Sequence, residues 1–100
     1  MSQHYLNPRQ KRHLRSLAHK LKPVVMIGAA GLSEAVARTI EEELSNHELI
    51  KVRVRSDDPA ERETIIEALS QDFEAGLVQR MGHIVTLYRP HPEKPRIQFP

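Results

Sequence analysis

The sequence has no cysteine and no tryptophan, and only four of its 100 residues are Phe or Tyr. Without cysteine, the chain cannot form disulfide bonds, a thiol-dependent active site or a zinc ribbon. Four aromatic side chains are too few to build a sheet surface that stacks several nucleotide bases. No apolar run approaches the roughly 20 residues that a membrane helix requires, and the first residues lack the apolar segment of a secretory signal. These absences favour a cytoplasmic protein without a membrane partner.

The remaining composition is typical of one globular domain, with 39% apolar and 28% charged residues. Four prolines fall within residues 90–100, a density that favours extended backbone over helix or sheet. We therefore expect a single domain over residues 1–100. Its core should span about 6–90, and residues 91–100 should form an extended, proline-rich tail.

Helix caps and hydrophobic spacing predict three helices and four strands. Asn7, Ser33 and Asp58 are the residue types that cap helices and stand before amphipathic segments. The apolar run 24–27, the period-two segment 49–55 and a hairpin over 77–89 are predicted as strands. The order α-β-α-β-α-β-β predicts a compact two-layer α+β domain with a four-stranded mixed sheet.

Two details of packing also follow from the pattern. The first helix should bury a stripe of Leu14, Leu17 and Leu21 together with Ala18. The strand over 24–27 is apolar on both faces, so we expect it to be central in the sheet and covered on both sides.

The charges are segregated along the chain. Residues 1–22 carry six Lys or Arg and no acid, whereas residues 34–48 and 56–79 carry five and seven acids, each against a single Arg. Lys51, Arg53 and Arg55 recur at every second position, which places them on one face of a strand. A surface with one basic and one acidic side is typical of proteins that bind polyanions. The alternative, that these charges are the solvated faces of amphipathic elements, stays open.

Enzymatic and metal-binding chemistry find little support in the sequence. His13 and His19 are six residues apart, which is not the i, i+4 spacing of a paired metal site, and the other four histidines have no partner at a ligand spacing. The acids fall on outward helical faces rather than as a pair in a cleft. We expect no catalytic residue, no metal and no cofactor.

The segment Gly28-Ala29-Ala30-Gly31 stands between a predicted strand and the start of a helix. Two glycines at this spacing allow a close backbone approach and direct free N–H groups toward an anion. The segment is too short for a nucleotide-hydrolysing P-loop and lacks the third glycine of a dinucleotide site. A Gly-x-x-Gly loop that clamps a nucleic-acid backbone is the mechanism of the KH module.

Three segments together resemble the CRM (chloroplast RNA splicing and ribosome maturation) domain, above all its stand-alone bacterial YhbY-type members. These segments are LRSLAHKLKPVVMIGAAGLSEAV over 14–36, HELIKVRV over 47–54 and LYRP over 87–90. The resemblance covers about residues 6–90 in order and spacing. It implies a fold related to the C-terminal domain of the third bacterial initiation factor. It also implies RNA binding and association with precursors of the large ribosomal subunit.

The resemblance also implies an RNA surface made of the loop and the basic residues beside it. The RNA-binding residues expected on this ground are Arg9, Lys11, Arg12, Arg15, Lys20, Lys22, Gly28, Ala29, Ala30, Gly31, Ser33, Lys51, Arg53 and Arg55. Many relatives carry a polar or basic residue where this chain has Ala29 and Ala30. These alanines weaken the case for contacts from the loop side chains, and contacts from backbone N–H groups stay open.

We thus expect a non-catalytic RNA-binding protein that acts on ribosomal RNA during assembly of the large subunit. Recognition of RNA shape should dominate over readout of bases. One alternative is an adaptor whose acidic second and third helices meet a basic ribosomal protein. Another is a cofactor of group II intron splicing, the role of the domain in related plant proteins.

Overall fold

A computed structural model describes residues 6–100, which form three helices and one four-stranded sheet. The elements in chain order are α1 (Pro8–Ala18), β1 (Pro23–Ile27), α2 (Glu34–His47), β2 (Leu49–Val54), α3 (Pro59–Asp72), β3 (Gly76–Met81) and β4 (Ile84–Tyr88). The strand order is β1-β2-β4-β3, with β1 parallel to β2 and the other neighbours antiparallel. The predicted α+β class, element order and mixed sheet are confirmed. Within residues 6–100, no helix combines the length and hydropathy needed to span a bilayer.

The three helices begin at the residues that the sequence marks as caps. The Asn7 side chain accepts a hydrogen bond from the Gln10 N–H at 2.8 Å, and the Gln10 side chain accepts from the Asn7 N–H at 3.0 Å. Ser33 and Asp58 each accept from an N–H in the first turn of their helix. At the start of α3, the Glu61 carboxylate accepts a hydrogen bond from the Ser56 hydroxyl of the preceding loop. It does not accept one from the Asp58 N–H, as it would in a reciprocal cap like that of Asn7 and Gln10.

The larger core lies between the sheet and helices α2 and α3. Its residues alternate along the strands and recur at helical spacing in the two helices, so each element contributes one apolar face. The buried members are Ile27, Ile40, Leu44, Ile50, Val52, Val54, Ile65, Ile66, Leu69, Phe73, Ala75, Val85 and Leu87. This pair of layers is the two-layer arrangement that the element order predicts.

Helix α1 packs on the opposite face of the sheet, where it forms a partial third layer. A second, smaller cluster lies beneath it, made of Leu6, Leu14, Ala18, Leu49, Val78 and Tyr88, with Ile97 and Phe99 packed against it. The helix contacts β2, β3 and β4. Within residues 6–100, helix α1 therefore covers only part of this sheet face.

The prediction that β1 is a central strand is wrong, because β1 lies at the edge of the sheet. Val25 and Ile27 face the larger core, but Val24 and Met26 point to the α1 side and keep 37% and 49% of their surface exposed. Helix α1 lies over the other three strands. The second apolar face of β1 is consequently uncovered.

The predicted stripe on α1 is also only partly buried. Leu14 and Ala18 are buried, whereas Leu17 is 43% and Leu21 37% exposed. The helix ends at Ala18, so Leu21 lies beyond it and does not continue the stripe.

The C-terminal tail folds back onto the domain around Glu48, whose side chain is fully buried. The Glu48 carboxylate accepts hydrogen bonds from the backbone N–H groups of His91 at 2.7 Å, Arg96 at 3.0 Å and Ile97 at 2.9 Å. Burial opposes ionisation, but these three hydrogen bonds and the nearby Arg96 charge outweigh it and lower the Glu48 pKa. The extended segment 91–100 is thus held against the body by the Glu48 carboxylate and by the packing of Ile97 and Phe99 on the smaller cluster.

Candidate functional site

Beyond the smaller cluster, the α1 side of the sheet presents two rows of side chains. Residues paired across strands carry their side chains on the same face. The pairing Lys51–Thr86–Gln79 gives one row. The next row, toward the end of β2, crosses all four strands as Met26–Arg53–Ile84–Met81. We call these seven residues the open sheet face.

The C-terminal half of α1 forms a wall beside this face. Arg15, Ser16 and His19 line one side of a hollow of about 580 Å³, whose floor is made of sheet residues from Lys51 to Met81. We call it the α1 hollow. It brings Arg15 and Lys51, from two separate basic segments of the sequence, to the same cavity.

The glycine loop lies at the end of the sheet nearest the open face. Ile27 pairs with Val54 where β1 and β2 end, and the Arg55 N–H donates to the Ile27 carbonyl at 2.8 Å. Arg55 therefore lies beside Gly28, the first loop residue. Met26 and Arg53 form the sheet row next to the loop.

The two loop glycines differ in whether the backbone conformation favours glycine. Gly31 has φ +69°, a conformation that L side chains rarely adopt, and its N–H donates to the Gly28 carbonyl at 2.9 Å. Gly28 has no positive φ, and a Cβ added to it would meet no atom of the described chain within 4 Å. The backbone conformation thus favours glycine at position 31 but not at position 28.

Several N–H groups of the loop have no partner among residues 6–100. Those of Ala29, Ala30 and Leu32 donate to no described residue, whereas the Ser33 N–H donates to the Gly31 carbonyl at 2.9 Å. The Ser33 hydroxyl is occupied as the cap of α2, where it accepts from a first-turn N–H. The loop therefore presents backbone donors just before a helix N-terminus, the arrangement that attracts anions.

The predicted basic residues do not all converge. Lys11 lies one helical turn before Arg15, on the same flank of α1. Arg9 instead lines a hollow with Phe99 and Pro100 of the tail. Lys22 borders an apolar groove near β1.

Arg12 is exposed on the outer side of α1, and Lys20 lies beyond the end of the helix. The structure therefore brings Arg15 and Lys51 to one cavity and places Arg53 and Arg55 on the same sheet face next to the loop, whereas Arg9 and Lys22 lie elsewhere.

Ion pairs are few in the described chain, and neither Arg38 of α2 nor Arg62 of α3 is paired with a carboxylate of residues 6–100. Among the described residues, arginine–carboxylate pairs join Arg89 to Glu41 and Arg80 to Glu63, both on the α2 and α3 side. Hydrogen bonds from these guanidinium groups lower the pKa values of Glu41 and Glu63. None of the nine bases predicted for binding lies within 4.0 Å of a carboxylate in residues 6–100.

Comparison with known proteins decides the family, because the model of the CRS1/YhbY (CRM) domain matches residues 6–89. The chain belongs to this family. A protein of Haemophilus influenzae named RNA-binding protein is 47% identical over 95 residues, which cover 95% of each chain. A Bacillus subtilis protein named probable RNA-binding protein YqeI is 36% identical over 95% of this chain and 99% of its own.

A solved structure extends the likeness of this CRM domain to three dimensions. The solution structure of a hypothetical Staphylococcus aureus protein, described as a candidate RNA-binding protein, superposes with a TM-score of 0.80 at 38% identity. The match covers 96% of this CRM domain and all of that chain. The resemblance drawn from the three sequence segments is confirmed.

Some residues of the α1 hollow were not predicted from the sequence. Gln79, Met81, Ile84 and Thr86 of the hairpin join Lys51 on its floor. Period-two alternation in β3 and β4 gives the face of each residue within its own strand. It does not show that β4 lies next to β2, which is the contact that places Thr86 beside Lys51 in this CRM domain.

Proposed function

We propose that this protein binds RNA with the α1 side of its sheet and the adjoining glycine loop. The observation that carries this proposal is that basic side chains without a carboxylate partner in the described chain converge on one sheet face beside a loop with free backbone donors. None of the nine basic residues predicted for binding is paired with a carboxylate in residues 6–100. Unpaired cations next to backbone donors are suited to phosphate groups.

The arrangement favours a particular division of work. Arg15, Lys51, Arg53 and Arg55 would contact successive phosphates across the open sheet face. The N–H groups of Ala29, Ala30 and Leu32 would donate to a phosphate at the start of α2, where the helix dipole also favours negative charge. Gly28 would let the RNA backbone pass close to the loop, since the fold itself does not require glycine there.

The RNA that we propose is ribosomal RNA in precursors of the large subunit, bound in the cytoplasm to assist assembly without catalysis. Support for RNA as the partner comes from relatives named as RNA-binding proteins over nearly their full length. The choice of ribosomal RNA rests on the resemblance to stand-alone bacterial CRM proteins.

The adaptor alternative, in which acidic helices bind a basic ribosomal protein, has less support from the geometry. Two of the acids on that side, Glu41 and Glu63, are already paired with Arg89 and Arg80. Internal pairing reduces the negative potential available to a basic partner.

The test is charge reversal in the α1 hollow, with a matched reversal elsewhere. Binding of transcribed large-subunit ribosomal RNA is measured over a series of salt concentrations for Arg15→Glu, Lys51→Glu and the control Lys94→Glu in the tail. If about four phosphates are contacted, log affinity falls against log salt with a slope of about −3 to −4. Each reversal in the hollow should reduce that slope by about one.

The control Lys94→Glu changes the net charge as much as Lys51→Glu and should bind like wild type. The proposal is overturned if all three variants bind equally well while circular dichroism shows them folded. Crosslinking in cells tests the finer assignment, which fails if the crosslinked nucleotides lie outside large-subunit ribosomal RNA.

A further inference from the structure

The open sheet face is not purely basic, because it exposes large apolar side chains next to its Lys and Arg residues. In the row across the strands, Met26 is 49% and Met81 66% exposed, on either side of Arg53 and Ile84. Phosphate binding needs no apolar contact, and apolar surface grouped in this way is typical of an interaction site. The row therefore suits a ligand with an apolar surface as well as a charge.

Thr86, on the floor of the α1 hollow, is the second observation. As a whole residue it is 2% exposed, it lines the hollow, and its hydroxyl makes no hydrogen bond to another residue of the described chain. Thr86 lies between Lys51 and Gln79, and the Gln79 amide likewise has no described partner. The Lys51 ammonium group, the Thr86 hydroxyl and the Gln79 amide thus line one cavity and make no hydrogen bond to another residue of the described chain.

The hollow is large enough to hold a small ligand. Its volume of about 580 Å³ falls within the roughly 300–1,000 Å³ of ligand sites. Met81 and Ile84 offer apolar contact, and a methionine sulfur interacts favourably with aromatic rings. A nucleotide base has an aromatic face and a hydrogen-bonding edge, so it matches both parts of this lining.

The base in question must be unpaired. In an RNA duplex the bases are stacked inside the helix, and side chains cannot read its deep, narrow major groove. A base that is turned out of a single-stranded loop or bulge can enter the hollow while its phosphates stay on Arg53, Arg55 and the glycine loop. The base can enter the hollow while the RNA backbone stays outside it, because the loop lies at the edge of the open sheet face.

We propose that the α1 hollow binds the base of one unpaired nucleotide, with Met81 and Ile84 against its face and Thr86 and Gln79 at its edge. The proposal rests on the RNA binding proposed above and deepens it, because phosphate contacts alone carry no such selectivity. It adds one base contact to an interface that the sequence predicts to recognise mainly shape.

Two RNAs and three variants test this site. The probes are a single-stranded RNA of about ten nucleotides, comparable to known single-strand sites, and the duplex of that RNA with its complement. Thr86→Val replaces the hydroxyl by a methyl group of similar size, and Met81→Ser removes an exposed apolar side chain. Thr64→Val makes the same change as Thr86→Val on exposed α3 and is the control.

We expect the wild type to prefer the single strand. Thr86→Val and Met81→Ser should each weaken single-strand binding by about 5- to 10-fold, the usual effect of one lost hydrogen bond or apolar contact, and leave duplex binding unchanged. Thr64→Val should bind both probes like wild type. In spectra of methyl-labelled protein, the Met81 methyl resonance should shift on addition of the single strand, because an aromatic base lies against it.

Equal affinity for both probes, or wild-type behaviour of Thr86→Val and Met81→Ser, would refute the base site. If Arg15→Glu and Lys51→Glu still lose affinity in that case, phosphate binding stands and only the base site fails. If these charge reversals also have no effect, the proposed RNA surface fails together with it.

Discussion

The two faces of the sheet are built for different tasks. On the α2 and α3 side, thirteen side chains are between 0% and 8% exposed, and Arg80 and Arg89 at its surface are paired with Glu63 and Glu41. On the α1 side, the buried cluster is smaller, Met26 and Met81 are exposed, and the bases have no acidic partner in the described chain. Satisfied contacts stabilise the fold, whereas unsatisfied groups remain available to a ligand. The comparison teaches that stability is concentrated on one face and binding capacity on the other.

The difference has a geometric origin. Four strands about 4.8 Å apart form a sheet that is wider than one helix, whose diameter with side chains is about 10–12 Å. Two helices of 14 residues cover one face, while the other face has a single helix of 11 residues. A single helix can cover only part of the sheet. The open sheet face is what remains.

Removal of a core side chain on the covered face should have the largest effect. Leu69→Ala should lower the free energy of unfolding by about 2–5 kcal/mol, because Leu69 is fully buried and its loss leaves a cavity. Met81→Ala, a truncation on the open sheet face, should change it by no more than about 0.5 kcal/mol. Urea unfolding followed by circular dichroism measures both values. Equal costs would contradict the assignment of stability to the α2 and α3 face.

The anchor of the tail should come next. Glu48→Gln should cost about 1–3 kcal/mol, since an amide cannot accept as many hydrogen bonds from the tail N–H groups as the carboxylate does. The folded-state pKa of Glu48 is lowered, so its contribution is present above the unfolded pKa of about 4.3 and is lost as pH falls through the folded value.

A pH series of urea unfolding checks this prediction. The difference in stability between wild type and Glu48→Gln should be constant near neutral pH and should shrink below about pH 4.3. Burial, followed by the Glu48 charge, raises the pKa of Tyr88, so the variant should also titrate Tyr88 at lower pH. A difference that does not depend on pH would show that the carboxylate charge is not the anchor.

The smallest effect on stability, and the sharpest comparison, comes from the two loop glycines. Gly31→Ala should lower stability by about 1–2 kcal/mol, because its φ of +69° is unfavourable for a residue with a Cβ. Gly28→Ala should leave the melting temperature unchanged and weaken RNA binding, since the added methyl group meets nothing in the protein but obstructs a close RNA backbone. Thermal melts and RNA affinity at one salt concentration separate the two effects. Wild-type RNA affinity of a folded Gly28→Ala would mean that the loop serves only as a turn.

Several features of the candidate site follow from local sequence. Caps such as Asn7 and Ser33 satisfy N–H groups a few residues away, so their role is readable without tertiary information. The same holds for Lys51 and Arg53, whose shared face follows from the pleat of a strand. Gly28 and Gly31 are recognisable because their loop joins a strand to a capped helix.

Other features depend on contacts between distant segments. Glu48 is one more acid at the end of an acidic helix, and nothing local shows that residues 91–97 will bring three N–H groups to its carboxylate. Thr86 is one more strand residue until β4 inserts between β2 and β3. Contacts between distant segments give the Glu48 carboxylate its hydrogen-bond donors. They leave the Thr86 hydroxyl without a hydrogen-bond partner in the described chain.

The chain's own pattern was enough to predict the helices, the strands and the basic face of β2, since each of these depends on residues close together along the backbone. The family followed from the resemblance of three segments, which covers about residues 6–90. Strand order and the placement of α1 depended on how the finished elements pack. An apolar run such as 24–27 has the same sequence pattern in a central strand as in an edge strand, because the burial of its side chains depends on which helix covers each face. For that reason Met26 was expected in the core and lies instead beside Arg53 on the open sheet face.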